Sequence, residues 1–261
     1  MEQLPDEILS KIMGHLSTSD ILKKMALVSK RFNRLSQDQN LIKRIEFKSF
    51  ELTSRRRTRS WTEERMEKFY NDFFEVLKNA RKLKFLSLHF EPPMLERLYR
   101  VLIELSANHE FLEEFYIHTR DIGLDLLYYG MPKVLDGCPK LKILKLENTS
   151  AVRQLDLILD TIASFNSKSL QELHLDFYGT HCDQPLYNFL KMLMENMPQL
   201  QYICLAFDSG TSQQISFVDK KKILQEVTSK KNIRIELRDI RHDLPGQGFV
   251  MIFGPNFFQW Y

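Results

Sequence analysis

Apolar residues recur along this chain with two periods, one of three to four residues and one of about thirty. Near the start, Ile8, Leu9, Ile12, Met13 and Leu16 fall at helical steps behind Pro5, a residue tolerated in a first helical turn. The spacing predicts a helix from about Pro5 to Leu16, with Asp6 and Glu7 at its positive end and Lys11 and His15 toward its negative end. Ser17, Thr18 and Ser19 stop it, and Ser19 is placed to cap a second helix whose inward residues are Leu22, Met25 and Ala26. A third, short helix carries Phe32 and Leu35. Three helices of this size, roughly 40 residues with their turns, cannot bury both their own contacts and the remaining apolar side chains. The surplus surface requires a partner.

The longer period begins after a polar break at residues 36–40 and a segment, Leu41 to Phe47, in which Ile45 and Phe47 alternate around Glu46 in strand fashion. Ser60 and Glu63 have the capping-box spacing, and the helix they open carries Met66, Phe69, Phe73, Val76 and Leu77 on one face. Then Leu-x-x-Leu-x-Leu appears at Leu83, Leu86 and Leu88. It returns at Leu112, Phe115 and Ile117; at Leu141, Leu144 and Leu146; at Leu170, Leu173 and Leu175; at Leu200, Ile203 and Leu205; and, behind Asn232, at Ile235 and Leu237. First positions at 83, 112, 141, 170, 200 and 232 are separated by 29, 29, 29, 30 and 32 residues. Helical stripes fill the intervals: Leu95, Leu98, Val101, Leu102 and Leu105; Val152, Leu155, Ile158, Leu159 and Ile162; Leu186, Phe189, Leu190, Leu193 and Met197; Ile223, Leu224 and Val227. From Ile122 to Asp136 the stripe is weakest, and Gly130 and Pro132 predict a helix broken in two. One strand and one helix per unit cannot bury an apolar face alone, so the units must stack into a solenoid with parallel strands on the concave side and helices outside. Residues 245–261 are turn-rich and aromatic, and are expected to cap the last unit's core.

Two resemblances follow from these residues. Leu4, Pro5, Glu7, Ile8, Leu9, Ile12, Leu16, Asp20, Ile21, Leu22 and the run Ala26 to Phe32 together resemble the F-box family, with Ser29 where many members have Cys and Phe32 where many have Trp. That resemblance implies docking on the Skp adaptor of a cullin-RING ubiquitin ligase, with Leu4, Pro5, Ile8, Ile12, Leu16, Leu22, Val28 and Phe32 at positions that pack on the adaptor or hold the module's own helices together. The repeats, over about residues 61–240, resemble the leucine-rich-repeat family. They lack its turn ladder of Asn or Cys, because the position eight after each first leucine holds Glu91, Arg120, Thr149, Tyr178, Asp208 and Ile240. The expected protein is of α/β class: an all-α three-helix F-box at 1–40, a linker and capping strand with an arginine-rich loop at 41–60, a short leucine-rich-repeat solenoid at 61–240, and an aromatic cap at 241–261.

Composition narrows the function classes. Of 261 residues 43% are hydrophobic and 27% charged, which is ordinary globular usage; the 9 glycines are few, favouring helix and short connections over phosphate-cradling loops. A net charge of +3 is too small to imply nucleic acid or an anionic membrane. No basic leader and no span of about 18 apolar residues is visible, so the expected location is cytoplasmic, nuclear or both. Cys138, Cys182 and Cys204 have neither disulfide-framework nor zinc spacing and are expected to be reduced. No nucleophile, nucleotide or metal motif is present, so neither enzyme activity nor a cofactor is expected.

Binding is the remaining chemistry. On the predicted strands, residues alternating away from the leucines face outward, and they include Phe85, His89, Tyr116, His118, Lys145, Glu147, His174, Asp176 and Tyr202, the candidate substrate contacts. Aromatic and charged residues mixed in this way suit a protein ligand better than nucleic acid. Arg55, Arg56, Arg57 and Arg59 could pair with phosphate, which keeps a nucleic-acid or phosphoprotein contact as an alternative to a solvated loop. The leading reading is a ubiquitin-ligase substrate receptor with an unidentified protein substrate; the rival is a Skp-binding scaffold without a role in ubiquitination.

Overall fold

Each Leu-x-x-Leu-x-Leu segment becomes a strand that opens two residues after its first leucine. A computed structural model of the protein describes residues 4–13, 28–36, 38, 41–48, 63–90, 95–119, 126–152, 155–179, 186–208, 233–240, 250–254 and 257–260. Helices α1 (Asp6–Met13) and α2 (Lys30–Ser36) precede strand β1 (Arg44–Lys48). Helix then alternates with strand: α3 (Glu63–Asn79), β2 (Phe85–Phe90), α4 (Leu95–Asn108), β3 (Glu114–Thr119), a π-helical turn (Leu126–Gly130) running into α5 (Met131–Gly137), β4 (Ile143–Val152), α6 (Leu155–Ala163), β5 (Glu172–Gly179), α7 (Leu186–Asn196) and β6 (Tyr202–Asp208). Strands β7 (Arg234–Ile240), β8 (Val250–Gly254) and β9 (Phe257–Trp260) follow. The expected second helix of the N-terminal module, the arginine run and the stripe at Ile223 to Val227 lie outside the described residues.

The strands form one nine-stranded sheet in sequence order, and β1 to β7 are parallel. Ile45, Leu86, Phe115, Leu144, Leu173, Ile203 and Ile235 stand level across the seven strands, and all are buried. Two residues on, Phe47, Leu88, Ile117, Leu146, Leu175 and Leu205 form a second buried row. Because side chains alternate along a strand, both rows point to one face. There they meet Leu98, Val101, Leu102 and Leu105 of α4, Ile158, Leu159 and Ile162 of α6, and Phe189, Leu190 and Leu193 of α7 in a single core. The result is a solenoid-like α/β repeat with the described repeat helices on one face of the sheet.

Two expectations change, and the tail takes a definite form. Val152 ends β4, pairing with Gly179 beyond a register shift, so the following helix opens only at Leu155. In the aromatic tail, β8 and β9 add an antiparallel hairpin to the β7 edge. The first strand opens at Arg44 and not at Leu41: Leu41 belongs to the core of the N-terminal module, while the next residue, Ile42, belongs to the core of the repeats. The break expected at Gly130 and Pro132 does occur, as the passage from the π-helical turn into α5, which has Pro132 in its first turn.

A column of buried residues three positions before each first leucine lines the turn from helix to strand: Ala80, His109, Cys138, Ser167 and Met197. The leucine N–H bonds back to this position, to the carbonyl in Leu83, Leu112, Leu141 and Leu200 and to the Ser167 hydroxyl in Leu170. Cys138 directs its thiol at the Leu105 carbonyl, 3.6 Å away, and burial pushes its pKa up to about 12. It is a packing residue and a poor nucleophile. Just before it, a Cβ on Gly137 would stand 2.1 Å from the Ser106 carbonyl oxygen, so α5 can lie this close to α4 only with glycine there.

Candidate functional site

At the N-terminal end, α1 divides its apolar residues between two directions. Leu9 and Met13 turn inward and, with Phe32, Leu35 and Leu41, form a small core separate from that of the repeats; Leu4 packs against it. Ile8 and Ile12, one helical turn apart, remain 41% and 43% exposed, and Val28 is 61% exposed. The Pro5 carbonyl accepts the N–H groups of Ile8 and Leu9, which starts the helix. Arg31 of α2 donates to Asp6 from Nε at 2.7 Å, and Arg34 reaches the other carboxylate oxygen at 2.6 Å. The Arg31 hydrogen bonds hold the Asp6 carboxyl below the usual aspartate range, with the charges of Arg31 and Arg34 acting the same way.

Of the residues expected at the adaptor contact, Ile8, Ile12 and Val28 are open, Pro5 is exposed and Leu4 is half-buried. Phe32 is 2% exposed and packs in the core that joins α2 to α1, the helix-holding role among those expected of these positions. Leu16 and Leu22 lie outside the described residues.

The second surface is the open face of the sheet. Its rows follow from the register. One runs Arg44, Phe85, Glu114, Ile143, Glu172, Tyr202, Arg234; the next Glu46, Ser87, Tyr116, Lys145, His174, Cys204, Glu236; and the third includes His89, His118, Glu147, Asp176 and Ala206. All nine expected substrate contacts therefore stand on one face. Phe85 is only 6% exposed: the Arg44 guanidinium lies 3.4 Å above its ring and Tyr116 meets it edge-on at 4.9 Å. Cys204, Ala206 and Glu236, in the same outward phase, are also buried, so the open part of the face is centred on β2 to β5.

Neighbouring side chains are linked across strands. The Tyr116 hydroxyl donates to Glu114 at 2.8 Å, and the Lys145 ammonium lies 4.5 Å from the Tyr116 ring centre. His89 and His118 stack at 3.8 Å, and His118 Nδ1 is 2.8 Å from Glu147. His174 Nε2 is 3.3 Å from Glu172, while its ring meets Tyr202 edge-on at 5.1 Å. The Tyr202 hydroxyl donates to Glu236 at 2.6 Å. Burial, then the bond to Glu114, raises the Tyr116 pKa to about 12, so this phenol is a donor at neutral pH. Burial and the bond to Glu236 raise Tyr202 in the same sense.

This arrangement can bind by charge, hydrogen bond and ring contact. Among the described residues no three metal-ligating side chains come together, and no helix is long and apolar enough to cross a membrane. Reading by leucine pattern left out Arg44 and Glu46, because β1 has no leucine at its first position to mark it as a unit of the repeat. Glu114 and Glu172 are placed outward by alternation, but only the lateral register reveals them as partners of Tyr116 and His174.

Compared with known families, residues 1–48 match the F-box-like family model. The chain thus carries an F-box-like domain, and the match ends on Lys48, the last residue of β1. No significant match among curated proteins is found for this chain.

Proposed function

We propose that this protein is the substrate-recognition subunit of an SCF-type cullin-RING ubiquitin ligase. The F-box-like domain docks on the Skp adaptor, the open face of the repeat sheet holds a protein substrate, and ubiquitin is transferred by the assembled ligase and not by this chain. The role is non-enzymatic and belongs to the cytoplasm, the nucleus or both. Its mechanism is proximity: a tethered substrate meets the charged conjugating enzyme at an effective concentration that free diffusion does not reach.

The observation that carries this reading is the two-sided use of α1 within the matched domain. Leu9 and Met13 complete a small core while Ile8 and Ile12, on the same helix, remain 41% and 43% exposed. Replacing both isoleucines by glutamate removes apolar contact and places two charges at the proposed interface without touching that core. Adaptor binding by the full chain, measured by calorimetry, is expected to weaken by at least about 2 kcal/mol, as for a hot-spot pair, with the thermal unfolding profile unchanged. Adaptor affinity equal to that of the wild type would remove the assignment of this face.

A further inference from the structure

The open face over β3 to β5 is acidic in a protein whose net charge is +3. Among the described residues, its strands β3 to β5 carry Glu114, Glu147, Glu172 and Asp176 against Lys145, with His118 and His174 beside them. Three of these carboxylates are held by donors on the same face: the Tyr116 hydroxyl on Glu114, His118 Nδ1 on Glu147 and His174 Nε2 on Glu172. A donor of this kind fixes the direction in which a carboxylate presents its remaining oxygen. Each donor engages one oxygen, and among the described residues no hydrogen bond reaches the second oxygen of any of the three. Both glutamates of the imidazole pairs keep side chains 42% exposed. Carboxylates fixed in direction and open on one side are suited to accept bonds from guanidinium or ammonium groups.

The rows also set a distance. Glu114 and Glu172 are level with Ile143, at one end of β4, and Glu147 lies four residues further along that strand. At about 3.3 Å per residue the two acidic rims are roughly 13 Å apart. An extended peptide lying along β4 covers that span in four residues. Between the rims its backbone would pass over Tyr116, Lys145 and His174, where a ring and an ammonium can meet carbonyls and apolar side chains.

We propose that this face binds an extended, basic protein segment with Lys or Arg residues four positions apart. The inference rests on the receptor reading and gives its unnamed substrate a chemistry. The acidity also sets the face against phosphate: a nucleic acid or a phosphorylated segment would bring its charge onto four carboxylates.

The test uses the full chain co-purified with the Skp adaptor and two fluorescein-labelled nonapeptides, GSRASARSG and the same peptide with both arginines replaced by glutamate. Fluorescence anisotropy is expected to show binding of the arginine peptide and none of the glutamate peptide. Changing Glu114→Gln, Glu147→Gln and Glu172→Gln together is expected to weaken the arginine peptide at least tenfold with adaptor binding unchanged. If the triple variant unfolds, Glu147→Gln alone, at an exposed side chain, is expected to weaken it at least threefold. Binding of the glutamate peptide, binding of neither peptide, or an arginine-peptide affinity indifferent to these substitutions overturns the proposal. Each of those results leaves the adaptor measurement intact, so failure here is distinguishable from failure of the receptor reading.

Discussion

A single methyl group tests how closely the repeats are stacked. At Gly137 the added Cβ would lie 2.1 Å from the Ser106 oxygen and 2.5 Å from its Cα, and both neighbours are backbone. At Gly130 it would lie 2.6 Å from Cδ1 of Leu102, the end of a side chain that can rotate away. Overpacking costs about 1–3 kcal/mol where side chains yield. Gly137→Ala is therefore expected to destabilise by about 3 kcal/mol, at or above the top of that range, because α4 as a whole must move. Gly130→Ala is expected to cost about 1 kcal/mol. Urea denaturation of the two variants checks the order; equal midpoints would mean that α5 does not depend on this approach. The neighbouring column shows a different tolerance. Ala80, His109, Cys138, Ser167 and Met197 share burial but no chemistry, and His109 fills its place at a cost, since burial lowers its pKa against the opposing pull of Glu104 and of a backbone hydrogen bond to Ala80.

At the scale of elements, α1 is pinned to α2 by charge as well as by its core. Asp6 is acidified chiefly by its hydrogen bonds from Arg31, so the folded module binds this proton more weakly than the unfolded chain does. The sign follows: the stabilisation is complete above the ordinary aspartate value of 3.8 and is lost as pH falls through the lower, folded value. Amide exchange of Asp6–Met13, corrected for intrinsic rate, is expected to accelerate relative to α4 as pH drops from about 6 to about 3. Asp6→Asn is expected to show the faster exchange already at neutral pH; α1 protection indifferent to both changes would rule out the pin. The α1 helix was legible in the sequence because helical spacing and end charges agree, and the strands were legible because their leucines recur at nearly equal intervals. What spacing could not show is which of two adjacent apolar residues faces in: Ile8 and Leu9 belong to one stripe by periodicity and to opposite sides in the fold. Val152 reads as the start of a helix because its apolar side chain continues the stripe of Leu155, whereas sheet pairing with Gly179 claims its backbone. On the open face, alternation named His118, His174 and Tyr202, but the cover of Arg44 over Phe85 is a contact between strands 41 residues apart in sequence, visible only once the register is known.

For the whole molecule, the two ends of the sheet decide whether the repeats remain separate from other copies, since an unpaired strand edge is a template for another chain. The β1 end is short and charged, with Arg44, Glu46 and Lys48 among its five residues. The β7 end is longer, seven residues from Arg234 to Ile240, and it is closed by the antiparallel β8, itself followed by the four-residue β9. The hairpin thus replaces a long edge by a short one, which is how native sheets limit edge-to-edge pairing. Ending the chain at Ile240 would return β7 to the edge with its backbone donors and acceptors unpaired, while Leu9, Met13, Phe32, Leu35 and Leu41 keep their separate core at the other end. The truncated chain, co-expressed with the Skp adaptor, is expected to self-associate in a concentration-dependent way in sedimentation velocity, and the full chain to remain a single species at the same concentrations. Adaptor binding is expected to survive in both. A truncated chain that stays monodisperse would show that the hairpin is dispensable as an edge guard, and loss of adaptor binding on truncation would show that the two cores are energetically coupled through the sheet.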